Sequence, residues 1–267
     1  VRYTNIQNLQ ITGIYDARKE LGWGKSIIMG LQQCFAMFGA TILVPVLTNS
    51  YGEGIVGLSA SVTLFCAGIA TLWFHFITKG KVPVFLGSSF AFLGMYQAII
   101  PQYGKEYATG GVVAAGGLYV ILAILIKVLG TKRVMKLFPP AVCGPLIILI
   151  GINLAGSAID NLFTNWMLGI VPILVIIICN TWGKGMIKII PVLISLIVSY
   201  IVAIIMGAVD FSAVGSANWV GLPNFHLPKF NAYAIVAGLA VAVAAMVEHV
   251  GDVMAIGATC GKNFIAD

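Results

Sequence analysis

The chain has 267 residues, 60% of them apolar and only 9% charged, with a mean hydropathy of +1.00. A soluble domain carries about 25% charged residues because its surface faces water, so a water-soluble globule is excluded and lipid is the natural solvent. The net charge of +6 does not point to nucleic acid, because the basic residues sit in short gaps between apolar runs rather than in a patch interleaved with stacking aromatics.

Residues 1–25 are polar and mixed in charge, with no apolar leader region, and read as a cytoplasmic N-terminal tail. Eight apolar segments follow, at about 26–48, 54–78, 83–100, 108–129, 138–158, 163–180, 186–209 and 231–260. A span needs roughly 20 apolar residues, so the expected fold is an all-α polytopic membrane protein of about eight transmembrane segments. With the N-terminus inside, 13 of the 15 basic residues fall on the cytoplasmic side and only Lys105 and Lys229 fall outside. That bias is the positive-inside rule, and it fixes the orientation. None of the segments pairs an apolar stripe with a strongly charged face, so interfacial helices are not expected.

Along the chain, the first segment carries Gln32, Gln33, Thr41 and Pro45. The two amides either line a polar cavity with Thr41 or bond a neighbouring helix. His75, near the inner end of the second segment, reads as a headgroup contact. The third segment begins Lys81-Val82-Pro83-Val84-Phe85-Leu86-Gly87-Ser88-Ser89-Phe90. Pro83 denies a helical hydrogen bond and its neighbours favour extended backbone. Gly87-Ser88-Ser89 then reads as a turn and N-cap, which predicts a short strand near 84–86 and a half-helix from about Ser88 or Phe90. Free N–H groups at such a start suit a polar ligand, although an ordinary cap satisfying its own helix fits the same residues. The fifth segment, with Phe138-Pro139-Pro140 and Gly144-Pro145, is expected to be short, kinked or preceded by a re-entrant stretch. Residues 211–230 read as an external loop with Trp219 as an interfacial anchor.

Seven of the nine acidic residues lie in loops or tails, and only Glu248 and Asp252 lie inside an apolar run. An ionised carboxylate deep in a membrane costs several kcal/mol unless paired, hydrated or protonated, which marks the pair as functional. Their i, i+4 spacing puts both on one helix face, among the small residues Ala242, Ala244, Ala245, Gly251, Ala255 and Gly257. The structural alternative is a pair satisfied by neighbouring helices. His249 points about 100° away around the helix and reads as packing or tuning. The five cysteines fit no zinc or CxxC spacing and read as free thiols; no hydrolase set, HExxH or phosphate-binding loop appears, and no metal or cofactor is expected.

Four stretches resemble the nucleobase–ascorbate transporter family, in particular its bacterial uracil permeases: Leu31 to Val46 (LQQCFAMFGATILVPV), Leu86 to Phe92 (LGSSFAF), Leu137 to Pro140 (LFPP) and Val247 to Asp252 (VEHVGD). The resemblance runs from about residue 20 to the end. It implies a secondary active transporter, not an enzyme, that imports a nucleobase, uracil, with a proton across the cell membrane. It also implies two inverted seven-span repeats and homodimerisation. Residues 26–130 would be core-domain spans one to four, residues 131–210 gate-domain spans five to seven, and residues 231–267 span eight, the start of the second repeat. The resemblance assigns Glu248 to accept hydrogen bonds from the base, the Phe90 N–H with Ser88 and Ser89 to the facing half of the site, and Asp252 with Glu248 to proton coupling. Uracil permeases carry histidine at the position of Asp252, whereas purine-type members carry aspartate. A xanthine, purine or anion transporter of the same fold is therefore the alternative substrate reading. A channel or structural membrane subunit is the alternative of another class, and a membrane-embedded enzyme is a further one. Against the family plan the chain is expected to be truncated after span eight.

Overall fold

The structure is a computed structural model that describes residues 14–51, 54–134, 136, 139–216, 221–260 and 264. Among the described residues all regular structure is helical: α1 (Ile14–Asn49), α2 (Ala60–Ile77), a 3-10 turn (Phe90–Phe92) that leads directly into α3 (Leu93–Tyr103), α4 (Lys105–Leu129), α5 (Thr131–Val134), α6 (Pro140–Thr164), α7 (Trp166–Trp182), α8 (Met186–Ile189), α9 (Pro191–Ile205), α10 (Ser212–Ser216) and α11 (Ala232–Cys260). Five of these helices are long and apolar enough to cross a bilayer, namely 22–49, 60–77, 105–129, 141–164 and 232–258; α7 and α9 are shorter apolar helices. Large side chains stand open on their faces, with Leu72 73%, Phe76 76% and Ile205 79% exposed. In water such faces would aggregate; in lipid they are the solvated surface. The chain is an all-α, multi-pass membrane protein.

Local chemistry explains the boundaries. Gly22 (φ 72°, ψ 162°) breaks α1 just before its apolar part. The second segment becomes helical only at Ala60, because Ser59 caps it and the preceding loop is held otherwise: Asn49 Oδ1 accepts from Gly57 N–H at 3.0 Å, and Thr48 Oγ1 accepts from Leu58 N–H at 3.0 Å. The seventh splits into α8 and α9, since Pro191 opens a new helix after a non-helical Ile190. The fifth segment is not short. It is a single 25-residue helix, α6. Pro140 occupies the first turn, where a missing N–H costs nothing, and Pro145 forfeits only the bond to Ala141 one turn later. Its approach through Leu137 and Phe138 lies outside the described residues, as do Asn218 and Trp219 of the loop expected to be external. That loop holds the short α10, where Ser212 N–H donates to Asp210 Oδ1 at 2.8 Å. This bond and one from the Ser212 hydroxyl hold the Asp210 carboxyl below its ordinary range.

Contacts divide the chain into two units, one comprising Val1–Glu20, Ala40–Gly151 and Asn224–Asp267, the other Leu21–Gly39 and Ile152–Pro223. In the second, α7 packs on α9 and the Ser195 hydroxyl donates to the Pro172 carbonyl at 3.0 Å. In the first, Phe92, Met95, Tyr96, Ile99 and Ile100 form a helical stripe buried against Val44, Ala108, Ala115, Ala234, Ala242 and Ala245. Small residues let backbones touch. A Cβ on Gly111 would stand 2.6 Å from the Ala234 carbonyl oxygen, and one on Gly238 would collide with the Gly111 backbone, so α4 and α11 meet main chain to main chain. Lys229 N–H donates to the Glu106 carbonyl at 2.8 Å, which brings the loop carrying Lys229 to the end of the unit where Lys105 opens α4.

Candidate functional site

After α2 the chain turns through Lys79 (φ 52°) and Gly80 (φ 67°) and stays non-helical from Lys81 to Ser89. At membrane depth every backbone polar group needs a partner, and helix propensity fails here for the reasons Pro83 and its β-favouring neighbours supply. The expected strand is absent as a paired element among the described residues: no second extended segment forms a ladder with this one. A side chain holds the run at Leu86. Thr71 Oγ1, on α2, accepts from Leu86 N–H at 3.0 Å. Its single proton is shared between the Ala67 carbonyl at 2.7 Å and the Leu86 carbonyl at 3.3 Å.

Two residues on, the Ser88 hydroxyl donates to the Thr41 carbonyl at 2.9 Å. That carbonyl is free because of sequence. In an α-helix it would accept from residue 45, four positions later, and residue 45 is proline, which has no N–H. Pro45 thus opens an acceptor on the side of α1, and Ser88 fills it. Thr41 is 2% exposed, and a Cβ on Gly87 would stand 3.0 Å from its Oγ1, so the glycine permits the close approach.

Ser89 has extended backbone (φ −89°, ψ 130°) and caps the helical run that starts at Phe90, accepting from Ala91 N–H at 3.3 Å. The first N–H groups of a helix have no partner within it. With Ala91 capped, the Phe90 N–H has no protein acceptor among the described residues. The Ser89 hydroxyl donates onward to Glu248 Oε2 at 3.4 Å. This is longer than the roughly 2.7–2.8 Å of a tight hydroxyl bond, so it orients the carboxylate while leaving most of its acceptor capacity open. Glu248 is half-buried on α11, next to the buried Ala245, Met246 and Val247. Asp252, one turn along, is exposed and makes no hydrogen bond among the described residues. Gly251 faces α6, where a Cβ would lie 2.9 Å from Ile147.

The structure therefore brings together Ser88, Ser89, Phe90, Thr41 and Glu248. Gln32 and Gln33 belong to the other unit; Gln32 is half-buried with Oε1 unpartnered and Gln33 is exposed. His75 is half-buried, with Nδ1 buried and unpartnered. Sequence reasoning missed Thr71, Tyr119 and the role of Pro45 as the origin of a free carbonyl. Tyr119 OH lies 2.7 Å from His249 Nδ1, tying α4 to α11 one residue beyond Glu248. The spacing Thr41…Pro45 is a readable signal for the free carbonyl; Thr71 and Tyr119 carry none. Among the described residues no set of His, Cys, Asp and Glu converges as a metal site. An open cavity of about 320 Å³ at the α3–α4 junction is lined by Ile55, Pro101, Lys105 and Glu106, and by none of the expected site residues.

A family model described as Permease family matches residues 24–267. A probable uracil permease from Haemophilus influenzae is 37% identical over 250 residues, covering 90% of this chain and 58% of the relative. The uracil permease of Bacillus caldolyticus is 37% identical over 257 residues, covering 91% and 58%. The putative pyrimidine permease RutG of Escherichia coli K12 is 34% identical over 269 residues, covering 94% and 59%. The resemblance read from the motifs is borne out, and these relatives are named as permeases, not enzymes. The chain spans about three fifths of the length of the curated relatives it matches.

Proposed function

The chain belongs to the Permease family matched over residues 24–267, and from that premise we propose that it is part of a secondary active transporter that imports a nucleobase, uracil, together with a proton. The observation that carries the reading is the Ser89–Glu248 contact at 3.4 Å. It sets an open helix start opposite an intramembrane carboxylate, although the two residues are 159 positions apart. The donor and acceptor halves suit a pyrimidine, whose ring presents carbonyl oxygens beside N–H groups. Glu248 accepts from a ring N–H, a charge-assisted bond roughly twice as strong as a neutral one. The Phe90 N–H donates to a ring carbonyl, helped by the positive end of the helix dipole. Ser88 and Ser89 hold that start in place. Asp252, on the same face of α11, takes part in the proton route. The names of the relatives at 37% identity support a pyrimidine.

The protein sits in the cell membrane with its N-terminus in the cytoplasm, by the charge bias of its loops, and forms a homodimer. The core and gate assignment of spans follows the family plan. A purine is the second substrate reading, favoured by aspartate rather than histidine at Asp252. The test is uptake of radiolabelled uracil and xanthine by cells that lack their own nucleobase transporters and express a full-length version of this protein, with and without a protonophore. Uracil uptake abolished by the protonophore supports the proposal. Uptake of xanthine alone, or uracil uptake indifferent to the proton gradient, refutes the substrate or the coupling respectively.

A further inference from the structure

The non-helical run Lys81–Ser89 presents a physical problem that the substrate site does not solve. Leu86 lies in it without a ladder neighbour among the described residues. Unpaired backbone groups in lipid cost several kcal/mol each. Both polar groups of Leu86 meet one atom, Thr71 Oγ1, at 3.0 Å for the N–H and 3.3 Å for the carbonyl. Thr71 is half-buried on α2, and its own i−4 bond to Ala67 at 2.7 Å holds the hydroxyl in a fixed rotamer. Two residues later Ser88 is tied to the Thr41 carbonyl at 2.9 Å. The extended run is therefore held at alternate residues by two different helices. Two points of attachment fix both the height of a chain segment and its rotation, and the helix start at Ser89-Phe90 follows directly from the second.

We infer that Thr71 is a positioning residue: its hydroxyl holds both backbone polar groups of Leu86 and thereby sets where the Ser89-Phe90 helix start meets Glu248. Thr71 touches no substrate. It acts through Leu86 and Ser88, and the inference rests on the substrate site proposed above. Loss of the hydroxyl leaves the α2 helix intact, because valine has nearly the same shape, but frees the run to shift.

The test compares Thr71→Val with Thr71→Ser in the membrane-embedded protein. Hydrogen exchange of the peptide covering residues 82–90 is read first, because it does not depend on transport. Exchange should accelerate at least tenfold in Thr71→Val and return to within about twofold of the parent in Thr71→Ser, tenfold corresponding to about 1.4 kcal/mol. Uracil uptake should then show KM raised about tenfold with the maximal rate within about twofold, again restored by serine. Unchanged exchange in Thr71→Val overturns the inference. So does faster exchange with an unchanged KM, which would leave the hydroxyl a local tie with no bearing on the site. If the parent transports no uracil, that result falls on the functional reading, and the inference is decided by the exchange at Leu86.

Discussion

Replacing Glu248 by glutamine keeps side-chain volume, removes the charge and turns one acceptor oxygen into a donor. Structure sets the size of the effect. An ionised carboxylate offers about four acceptor sites. Ser89 takes one of them, and only at 3.4 Å. The rest are available to a ligand N–H. In Glu248→Gln the amide oxygen is drawn to the Ser89 hydroxyl and the NH2 faces the ligand's own N–H, donor against donor. Loss of a hydrogen bond to a charged group is worth about 1.5–3 kcal/mol, which is roughly a 10- to 150-fold weaker uracil affinity. The helix itself is unaffected, since glutamine and glutamate have nearly equal helix propensity. The assay is equilibrium binding of radiolabelled uracil to purified protein, alongside surface expression to confirm folding. Parent-like binding and uptake by Glu248→Gln would refute the assignment and return Glu248 to a packing role between α11 and the half-helix.

Asp252→Asn should spare uracil binding within about threefold, a difference of about 0.65 kcal/mol, while flattening the pH dependence of uptake; a pH series of uptake against binding separates the two. Pro45→Ala restores an N–H to α1, and the new donor competes with the Ser88 hydroxyl for the Thr41 carbonyl. Thermal stability should hold or rise while uracil affinity falls about three- to tenfold, up to about 1.4 kcal/mol, as measured by binding and melting on the same preparation. Cysteines at Lys79, Lys132 and Lys184 should react with an impermeant maleimide only from the cytoplasmic side, and one at Asn218 only from outside. External labelling at Lys132→Cys would invert the topology.

The third segment was legible because its signals are local. Pro83 forbids a helical bond where it stands, and Gly87-Ser88-Ser89 carries its own cap; both act within a few residues of themselves. Glu248 and Asp252 stand out in the sequence for a different reason, the cost of charge in lipid. What sequence did not reveal depends on partners far along the chain. Thr71 is an unremarked threonine in an apolar run until Leu86 lies beside it, and Tyr119 is an ordinary aromatic until His249 is 2.7 Å away. The extended run at 81–89 was legible for the same local reason as the cap, but a ladder needs a second strand, which none of the described residues supplies. The length of α6 was under-read because proline was weighted as a breaker, although its effect depends on distance from the helix start. For Gln32 and Gln33 the residue type alone does not separate a cavity lining from a bond to a neighbouring helix.

The seam between α4 and α11 bears on motion. Gly111 and Gly238 meet through main chain, and the neighbouring Ala108, Ala115, Ala234, Ala242 and Ala245 are buried to 2% exposure or less. Side chains accommodate sliding by changing rotamer; a contact made of backbone and methyl groups has no rotamers to change. Shear between these two helices would open a void or a collision at once. Any rearrangement that carries Glu248 must therefore take α4 along with α11 and place its hinges elsewhere.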